Sequence, residues 1–388
     1  MDIKKQLELI TMPPTEEILT LRDLEFFLEH GVQLRHYIGF EISGFVHLGT
    51  GLVCGLKIAQ LQKAKAKIKV FLADYHSWIN DKLGGNLDVI RNVAKKYFAE
   101  AMKLSIKVMG GNPNATEFIL ASEFYEENPE YWAIVLDVAK NVTLSRVRRA
   151  ITIMGRKAGE KIDFAKLIYP CMQVADIFAL NVNLPHGGMD QRKAHVIARE
   201  IAKKLKKKQL KARIDFEEQI IKPIALHHSL LPGLKMSMAL YHRIIDAEKK
   251  GEKDKIRDLL IDAKMSKSIP ETCIFIHDTE EEIKRKIKAA FCPPREIKWN
   301  PIIRIAELII FPSDGKLLVE RPQKYGGSIE YASFDALKKD FIEGKLHPLD
   351  LKNAVAEWLI KKLKPVRDYF SGPGKSAIEE LQQLRITR

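Results

Sequence analysis

The sequence predicts an α/β protein whose first two-thirds build a parallel sheet with crossover helices and whose last third is all-α. Three observations predict this. Short β-rich runs alternate with helical patterns between about 35 and 215, a helix-like block at 129–160 interrupts that alternation, and from about 279 amphipathic helical patterns follow one another. At 388 residues with 46% hydrophobic content the chain is long enough for two or three domains with a substantial core.

In order, residues 1–34 read as an N-terminal helical segment. Residues 35–235 read as a Rossmann-like parallel-sheet domain, with strands expected in HYIGFEI, IKVFLADY, EFILASEF and around 180–187, and helices in GLVCGLKIAQLQKA and near 88–103. The helical connective insertion at 129–160 falls between the two halves of the sheet. Residues 236–262 carry helical periodicity with a polar break at EKKGEKDK, which reads as an inserted helical hairpin. Residues 263–278 are a loop and linker, and 279–388 a helical domain with Leu351, Val355, Trp358 and Leu359 along one helix face.

Charge and cysteines narrow the function classes. The balance of 64 Lys+Arg against 50 Asp+Glu favours a polyanionic partner. Cys54, Cys171, Cys273 and Cys292 lie far apart, with neither a CxxC pair for zinc nor a disulfide framework, and a reducing cytoplasm fits them. No run approaches a membrane span and the N-terminus lacks a signal peptide's apolar core, so a soluble cytoplasmic protein is expected. The basic run KKLKKKQLK at 203–211 reads as a solvated helix end.

Three segments carry candidate chemistry. In YIGFEISGFVHLGTGLVCGLKIAQ a strand runs through a glycine-rich turn into a helix, where Gly44, Gly49 and Gly51 allow close backbone approach and the helix N-terminus favours phosphate. His47 in that turn is either a phosphoryl donor or an ordinary loop imidazole. In LIYPCMQVADIFAL, Tyr169, Gln173 and Asp176 are spaced to share one helix face, with Pro170 expected in the first turn; if buried, they need a core network or a polar ligand. In HGGMDQRKAHVIARE a glycine turn enters a helix expected to be capped by Asp190, with Gln191 and Arg192 in its first turn at the sheet's carboxyl edge. Two decoys are set aside. SGPGKS at 371–376 lacks the first P-loop glycine and follows a helix, and the adjacent His227 and His228 lack metal-site spacing, so no metal is assigned.

With HLGT at 47–50 and KMSKS at 264–268 on either side of an α/β domain, the chain resembles a class I aminoacyl-tRNA synthetase. YIGFEISG, ADYH, LIYPCMQVADI, GGMDQRKAH, KAAFCP, RPQKYGG and LHPLDLKNAVAEWL extend the resemblance, over nearly the whole chain, to the archaeal and eukaryotic tyrosyl-tRNA synthetase family. The resemblance implies that tyrosine and ATP give tyrosyl-adenylate and pyrophosphate, and that the tyrosyl group then passes to the terminal ribose of tRNA-Tyr, without an editing domain. ATP is then a substrate, Mg2+ travels with it and with pyrophosphate, no zinc is needed, and the protein is a homodimer.

The resemblance also assigns roles by position. His47, Lys264 and Lys267 would be catalytic; Gly39, Gly49, Thr50, Ser266 and Ser268 would join them in binding ATP. Tyr37 and Asp176 would bind the substrate phenol, Tyr169, Gln173 and Gln191 its ammonium end, with Glu41 orienting that end. Arg149 and Arg192 would meet the tRNA acceptor end, near the dimer-forming insertion, whereas Arg146 and Arg148 are equally readable as solvated charges. Tyr325, His347, Pro348 and Asp350 would read the anticodon in the helical anticodon-binding domain, with a helix cap as the other role for Asp350. Thr50 departs from the pattern, standing where the second signature histidine is usual, and the hairpin at 236–262 is longer than in many relatives. A tryptophanyl-tRNA synthetase, a small-molecule nucleotidyltransferase and a non-catalytic tRNA-binding relative are the rival readings. The Tyr37 and Asp176 pair, the anticodon-like tail, and the presence of His47 and both lysines respectively speak against them.

Overall fold

The computed structural model describes residues 2–155, 163–252, 255–256, 259, 265 and 269–384. Its centre is a six-stranded sheet in the order β1-β8-β5-β2-β3-β4. The strands are β1 (Thr15–Leu19), β2 (Arg35–Phe40), β3 (Lys67–Leu72), β4 (Thr116–Leu120), β5 (Leu184–Gly188) and β8 (Ala225–His228). All neighbours pair in parallel except β1, which runs antiparallel to β8 and closes one edge. Chain order runs outward from β2 to β4 on one side and from β5 to β8 on the other. The reversal lies between β2 and β5, where an open α/β sheet forms its ligand crevice beyond the strands' carboxyl ends.

The four expected strands form, although EFILASEF is strand only to Leu120 and turns helical from Ala121; the sheet gains two that were not expected, β8 and the N-terminal edge strand β1. Residues 1–34 are therefore not wholly helical, because β1 follows the helix Ile3–Thr11. The buried Lys57 ammonium ties this helix down, donating to the carbonyls of Leu9, Ile10 and Met12 at 3.3, 3.2 and 3.0 Å. Those carbonyls belong to a helix C-terminus, where orphan acceptors and the dipole both favour a cation. A short hairpin of β6 (Lys211–Ile214) and β7 (Glu217–Ile220) stands apart from the main sheet. It takes the last residue of the basic run at 203–211 into β6; Lys206 and Lys207 before it donate backbone N–H to Asp137 Oδ2 at 2.6 and 2.8 Å.

The insertion folds as the helices Tyr131–Lys140 and Leu144–Ala150 and a 3-10 turn Ile151–Met154; residues 156–162 are outside the described set. Of the hairpin at 236–262, the helix Met238–Lys249 is described, capped by Ser237 Oγ on Leu240 N. It packs Tyr241, Ile244 and Ala247 into a satellite cluster with Met236 and Leu259.

The tail is helical as expected, except for one small antiparallel pair, β9 (Leu317–Val319) with β10 (Ile329–Tyr331). Its longest helix, Pro348–Ser371, buries Leu351, Val355 and Leu359, and Trp358 Nε1 donates to Asp314 Oδ2 at 2.8 Å. SGPGKS is the tight turn into the helix Lys375–Gln382, and a Cβ on Gly374 would lie 2.5 Å from the Tyr369 ring. That position serves packing against the preceding helix.

Candidate active site

The first signature lies at the end of β2, beside the sheet reversal. His47 forms an antiparallel bridge with Phe275, and Leu48 N and Ile276 N bond to Ile274 O and Val46 O at 3.0 and 3.1 Å. The HLGT turn is thus stitched to the strand-like stretch that follows the second signature. Gly49 N donates to His47 Nδ1 at 3.1 Å, and Thr50 Oγ1 lies 3.3 Å from Nε2. With Nδ1 accepting, the proton sits on Nε2, which becomes the imidazole's donor. Thr50 therefore serves as a neighbour of that donor. Gly51 has a different role from the ligand approach its sequence suggests: a Cβ there would lie 2.8 Å from Ile276 Cγ2 and 2.9 Å from Ser105 Oγ. Close helix packing requires that glycine.

The second segment folds as the helix Ala165–Ala179, so Pro170 sits in its second turn, one turn later than expected. The common face of Tyr169, Gln173 and Asp176 is turned inward, and the two ends of that face differ. At one end Asp176, 1% exposed, accepts at Oδ1 from Tyr125 Oη and Tyr131 Oη at 2.8 and 2.9 Å. Its Oδ2 lies 3.5 Å from His76 Nε2. Burial raises the Asp176 carboxyl to about 7, opposed by the two phenol hydrogen bonds, and burial pushes His76 down to about 3. Burial, then the charge of Asp176, raises Tyr37 well above the usual phenol value, keeping it a protonated donor. Tyr37 packs edge-on against Phe71.

At the other end Glu41 Oε1 accepts from Tyr169 Oη and Asn80 Nδ2 at 2.8 and 2.9 Å, with Lys82 Nζ 3.6 Å from Oε2. Burial, then Glu41, raises the Tyr169 phenol well above its usual value. Gln173 Nε2 donates to Gln191 Oε1 at 3.1 Å, and Gln191 Nε2 donates to Ile153 O at 3.1 Å. Gln173 Oε1 is buried with no hydrogen-bond partner among the described residues. A buried acceptor in that state favours a ligand that brings a donor. His76, packed at 90° to the Tyr169 ring with centroids 4.6 Å apart, joins the two ends.

The structure thus gathers Tyr37, Tyr169, Gln173, Asp176, Gln191 and Glu41 around one helix face. Glu41, His76, Tyr125 and Gln191 follow the carboxyl ends of β2, β3, β4 and β5 respectively. Tyr125, Tyr131, His76 and Asn80 escaped the sequence reading. ADYH pointed at His76 without a role, Tyr131 was visible only inside the helix-like block at 129–160, and Tyr125 lay between that block and the strand expected in EFILASEF.

Asp190 does not cap its helix by a side-chain bond. A 3-10 turn Met189–Gln191 precedes the helix Arg192–Ile201 instead. Arg192 Nε donates to Glu17 Oε1 and Oε2 at 3.0 and 2.8 Å, while Arg149 is exposed and Arg146 pairs with Glu200 at 2.7 Å. His227 and His228 turn to different partners, with His227 Nε2 3.0 Å from His195 Nδ1 and His228 Nδ1 2.8 Å from His186 Nε2. Lys264, Ser266, Lys267 and Ser268 lie outside the described residues; Met265 N, between them, donates to Leu231 O at 2.8 Å.

On the tail, Tyr325 stands 61% exposed in a 3-10 turn with Lys324 Nζ 4.9 Å from its ring centroid. Arg321 Nε donates to Gly327 O at 2.7 Å and Nη1 to Lys345 O at 3.2 Å, tying the Tyr325 loop to the segment that leads into His347. His347 is the N-cap, its Nδ1 accepting from Leu349 N at 3.1 Å, with Pro348 first in the helix. Asp350 sits in the first turn, leaving the capping role to His347.

A family model for class I tRNA synthetases (W and Y) matches residues 29–364. Over the whole of both chains the sequence is 56% identical to the tyrosine–tRNA ligase of Thermococcus onnurineus. The crystal structure of tyrosyl-tRNA synthetase complexed with L-tyrosine from Pyrococcus horikoshii superposes with a TM-score of 0.90 at 52% identity, covering 98% of this chain and 100% of that one. A tyrosyl-tRNA synthetase from Leishmania major in complex with tyrosinol gives 0.80 at 27% identity, covering 98% of this chain and 53% of that one.

Proposed function

We propose a division of labour among the site residues of this chain, which belongs to the tyrosyl-tRNA synthetases of class I and charges tyrosine onto its tRNA with ATP as co-substrate. In the family's two steps, the tyrosine carboxylate attacks the α-phosphate of ATP and releases pyrophosphate. The tyrosyl group then passes from the adenylate to the 3'-terminal ribose. Neither step needs a covalent enzyme intermediate, so positioning and electrostatic stabilisation must do the work.

On this reading tyrosine lies along the polar face of the helix Ala165–Ala179. Its phenol donates to Asp176 and meets Tyr37; its ammonium group donates towards Gln173, Tyr169 and Gln191, with Glu41 aligning them. The observation that carries the reading is the asymmetry of that face, with a buried carboxylate held by phenols at one end and the unpartnered Gln173 Oε1 at the other. Backbone at Gly39 and Gly49 borders the nucleotide. His47 Nε2–H donates to the charge that develops on the α-phosphate, beside Thr50. Lys264 and Lys267, with Ser266 and Ser268, hold the β- and γ-phosphates, a role suited to compact cations on flexible stems. Mg2+ carried in with the triphosphate would supply charge screening at the phosphates that Lys264 and Lys267 hold.

Acceptor-end contact falls to Arg149, since Glu17 engages Arg192, whose part would need that pair to open. Tyr325, His347, Pro348 and Asp350 face the anticodon, with Tyr325 stacking an unpaired base. The insertion pairs two copies of the chain. Trp132 and Leu136, one helical turn apart and 48% and 66% exposed, together with Leu144 at 56%, support that pairing. The work takes place in the cytoplasm, consistent with four free cysteines.

The test is ATP–pyrophosphate exchange with tyrosine, tryptophan and phenylalanine. Exchange should follow tyrosine, and stronger exchange with tryptophan would overturn the assignment. Lys264→Ala should lower kcat for exchange far more than it raises the Kd for tyrosine; equal losses would make that loop structural.

A further inference from the structure

Asp176 alone does not explain how its carboxylate comes to face a substrate. An isolated buried carboxylate can rotate about its last bond, or take up a proton and become a donor. The geometry around it restricts both.

Tyr125 lies on the helix Ala121–Glu127 that follows β4, and Tyr131 opens the first helix of the insertion. Their rings stack at 3.8 Å and 18°, so the two hydroxyls come side by side to one oxygen. Both are fully buried, and Trp132 and Tyr75 pack against Tyr125 with ring centroids 6.1 and 5.7 Å away. Each hydroxyl donates to Oδ1, as the distances above show, and neither bonds Oδ2. Facing Oδ2 is His76, its Nε2 3.5 Å away, and neither ring nitrogen makes a hydrogen bond among the described residues.

We propose that Tyr125 and Tyr131 are positioning residues for amino-acid selection: by donating both hydroxyls to Oδ1 of Asp176 they fix the carboxylate and reserve Oδ2, beside His76, for the substrate's phenol. The inference rests on the tyrosine-binding reading above and deepens it. A substrate hydroxyl at this place donates to Oδ2 and comes within reach of the His76 imidazole, which burial keeps neutral. Phenylalanine brings no hydroxyl to Oδ2, and that loss falls on a carboxylate the protein cannot rotate away.

The clamp also governs charge. The groups facing Asp176 are Tyr37 from β2, His76 from the helix Asp74–Ile79, Tyr125 and Tyr131 from the two helices after β4, and Tyr169 on its own helix. Burial favours the neutral acid, and the two phenol hydrogen bonds are what pull it back. All four phenols are themselves held protonated by burial and so remain donors. Removing the clamp therefore leaves burial unopposed, and the acid form persists to higher pH. The acidic limb of tyrosine utilisation moves up, because the substrate phenol needs an ionised acceptor.

The experiment compares the full-length protein with Tyr125→Phe, Tyr131→Phe and the double variant in ATP–pyrophosphate exchange from pH 6 to 9, with tyrosine and with phenylalanine. The double variant should raise KM for tyrosine about tenfold or more at pH 7 with kcat changed less than about threefold. It should shift the acidic limb of kcat/KM for tyrosine upward by about one pH unit and leave the phenylalanine parameters nearly unchanged. Each single variant should show a smaller shift of the same kind, since one donor to Oδ1 remains. Equal losses for tyrosine and phenylalanine with an unmoved acidic limb would assign the pair a packing role, and an unchanged KM would refute the clamp. Absence of tyrosine exchange by the unsubstituted protein would instead sink the underlying reading.

Discussion

The pocket along the helix Ala165–Ala179 and the Tyr325 loop of the tail use aromatic residues in opposite ways. In the pocket, Tyr37, Tyr125, Tyr131 and Tyr169 are buried, and the last three spend their hydroxyls on carboxylates of the protein itself. On the tail, Tyr325 exposes its ring to solvent and is held through its backbone loop by Arg321. The difference teaches how each surface recognises its ligand. On the proposed reading, a small amino acid is read by acceptors already fixed in place, whereas an unpaired base is read by an open face that costs little to leave alone. Substitutions should therefore damage stability and activity together in the pocket, and only tRNA charging on the tail.

The largest expected effect follows from Asp176. Asp176→Ala strands two buried phenol hydroxyls, each worth about 1–3 kcal/mol of desolvation, so the unfolding free energy should fall by about 2–6 kcal/mol. Tyrosine-dependent exchange should fall by at least about a hundredfold, and chemical denaturation with steady-state exchange reads both. A loss of activity with stability unchanged would break the comparison. Next, His47→Ala should lower the exchange kcat by about 100- to 1000-fold with tyrosine binding nearly intact, as removal of a transition-state donor does. Equilibrium dialysis of tyrosine against the exchange rate separates the two.

On the tail, Tyr325→Ala should reduce kcat/KM for tRNA about tenfold, the scale of one lost base stack, with exchange unchanged. Arg321→Ala should act on the same parameter by releasing the loop. An effect of either on exchange would mean that tail and pocket are coupled through the Phe275 bridge to His47.

The smallest effect is on acid stability at the sheet edge. His227, its Nδ1 2.9 Å from Glu17 Oε2, helped by Arg192 and opposed by burial, holds Glu17 at about 2, below the usual carboxyl value of 4.5. A depressed folded value stabilises above pH 4.5 and is lost as pH falls through about 2. Glu17→Gln should lower the thermal midpoint at pH 7 and converge on the parent between those limits; a constant offset down to pH 2 would contradict this.

How much of this was legible follows the same divide. Strand alternation located β2 to β5, because a sheet buried on both faces needs continuous apolar runs. It missed β8, whose four residues ALHH are too short to show a pattern, and β1, whose sequence TEEIL reads as polar, since an edge strand needs only half its face buried. The i, i+4, i+7 spacing brought Tyr169, Gln173 and Asp176 to one face because a helix repeats locally. Tyr125 and Tyr131 could not be found that way. They reach Asp176 from two other helices, 51 and 45 residues away in sequence, and only tertiary packing brings them there. Asp190 misled for a local reason, because a 3-10 turn delays the helix to Arg192.

The central claim is that the pocket selects a hydroxyl through a buried acceptor set in advance. Calorimetric binding of tyrosine and phenylalanine to the unsubstituted protein without ATP tests it most directly. Tyrosine should bind more tightly by on the order of a hundredfold or more, because phenylalanine brings no hydroxyl to Asp176 Oδ2 and Tyr37. Affinities within about threefold of each other would contradict it.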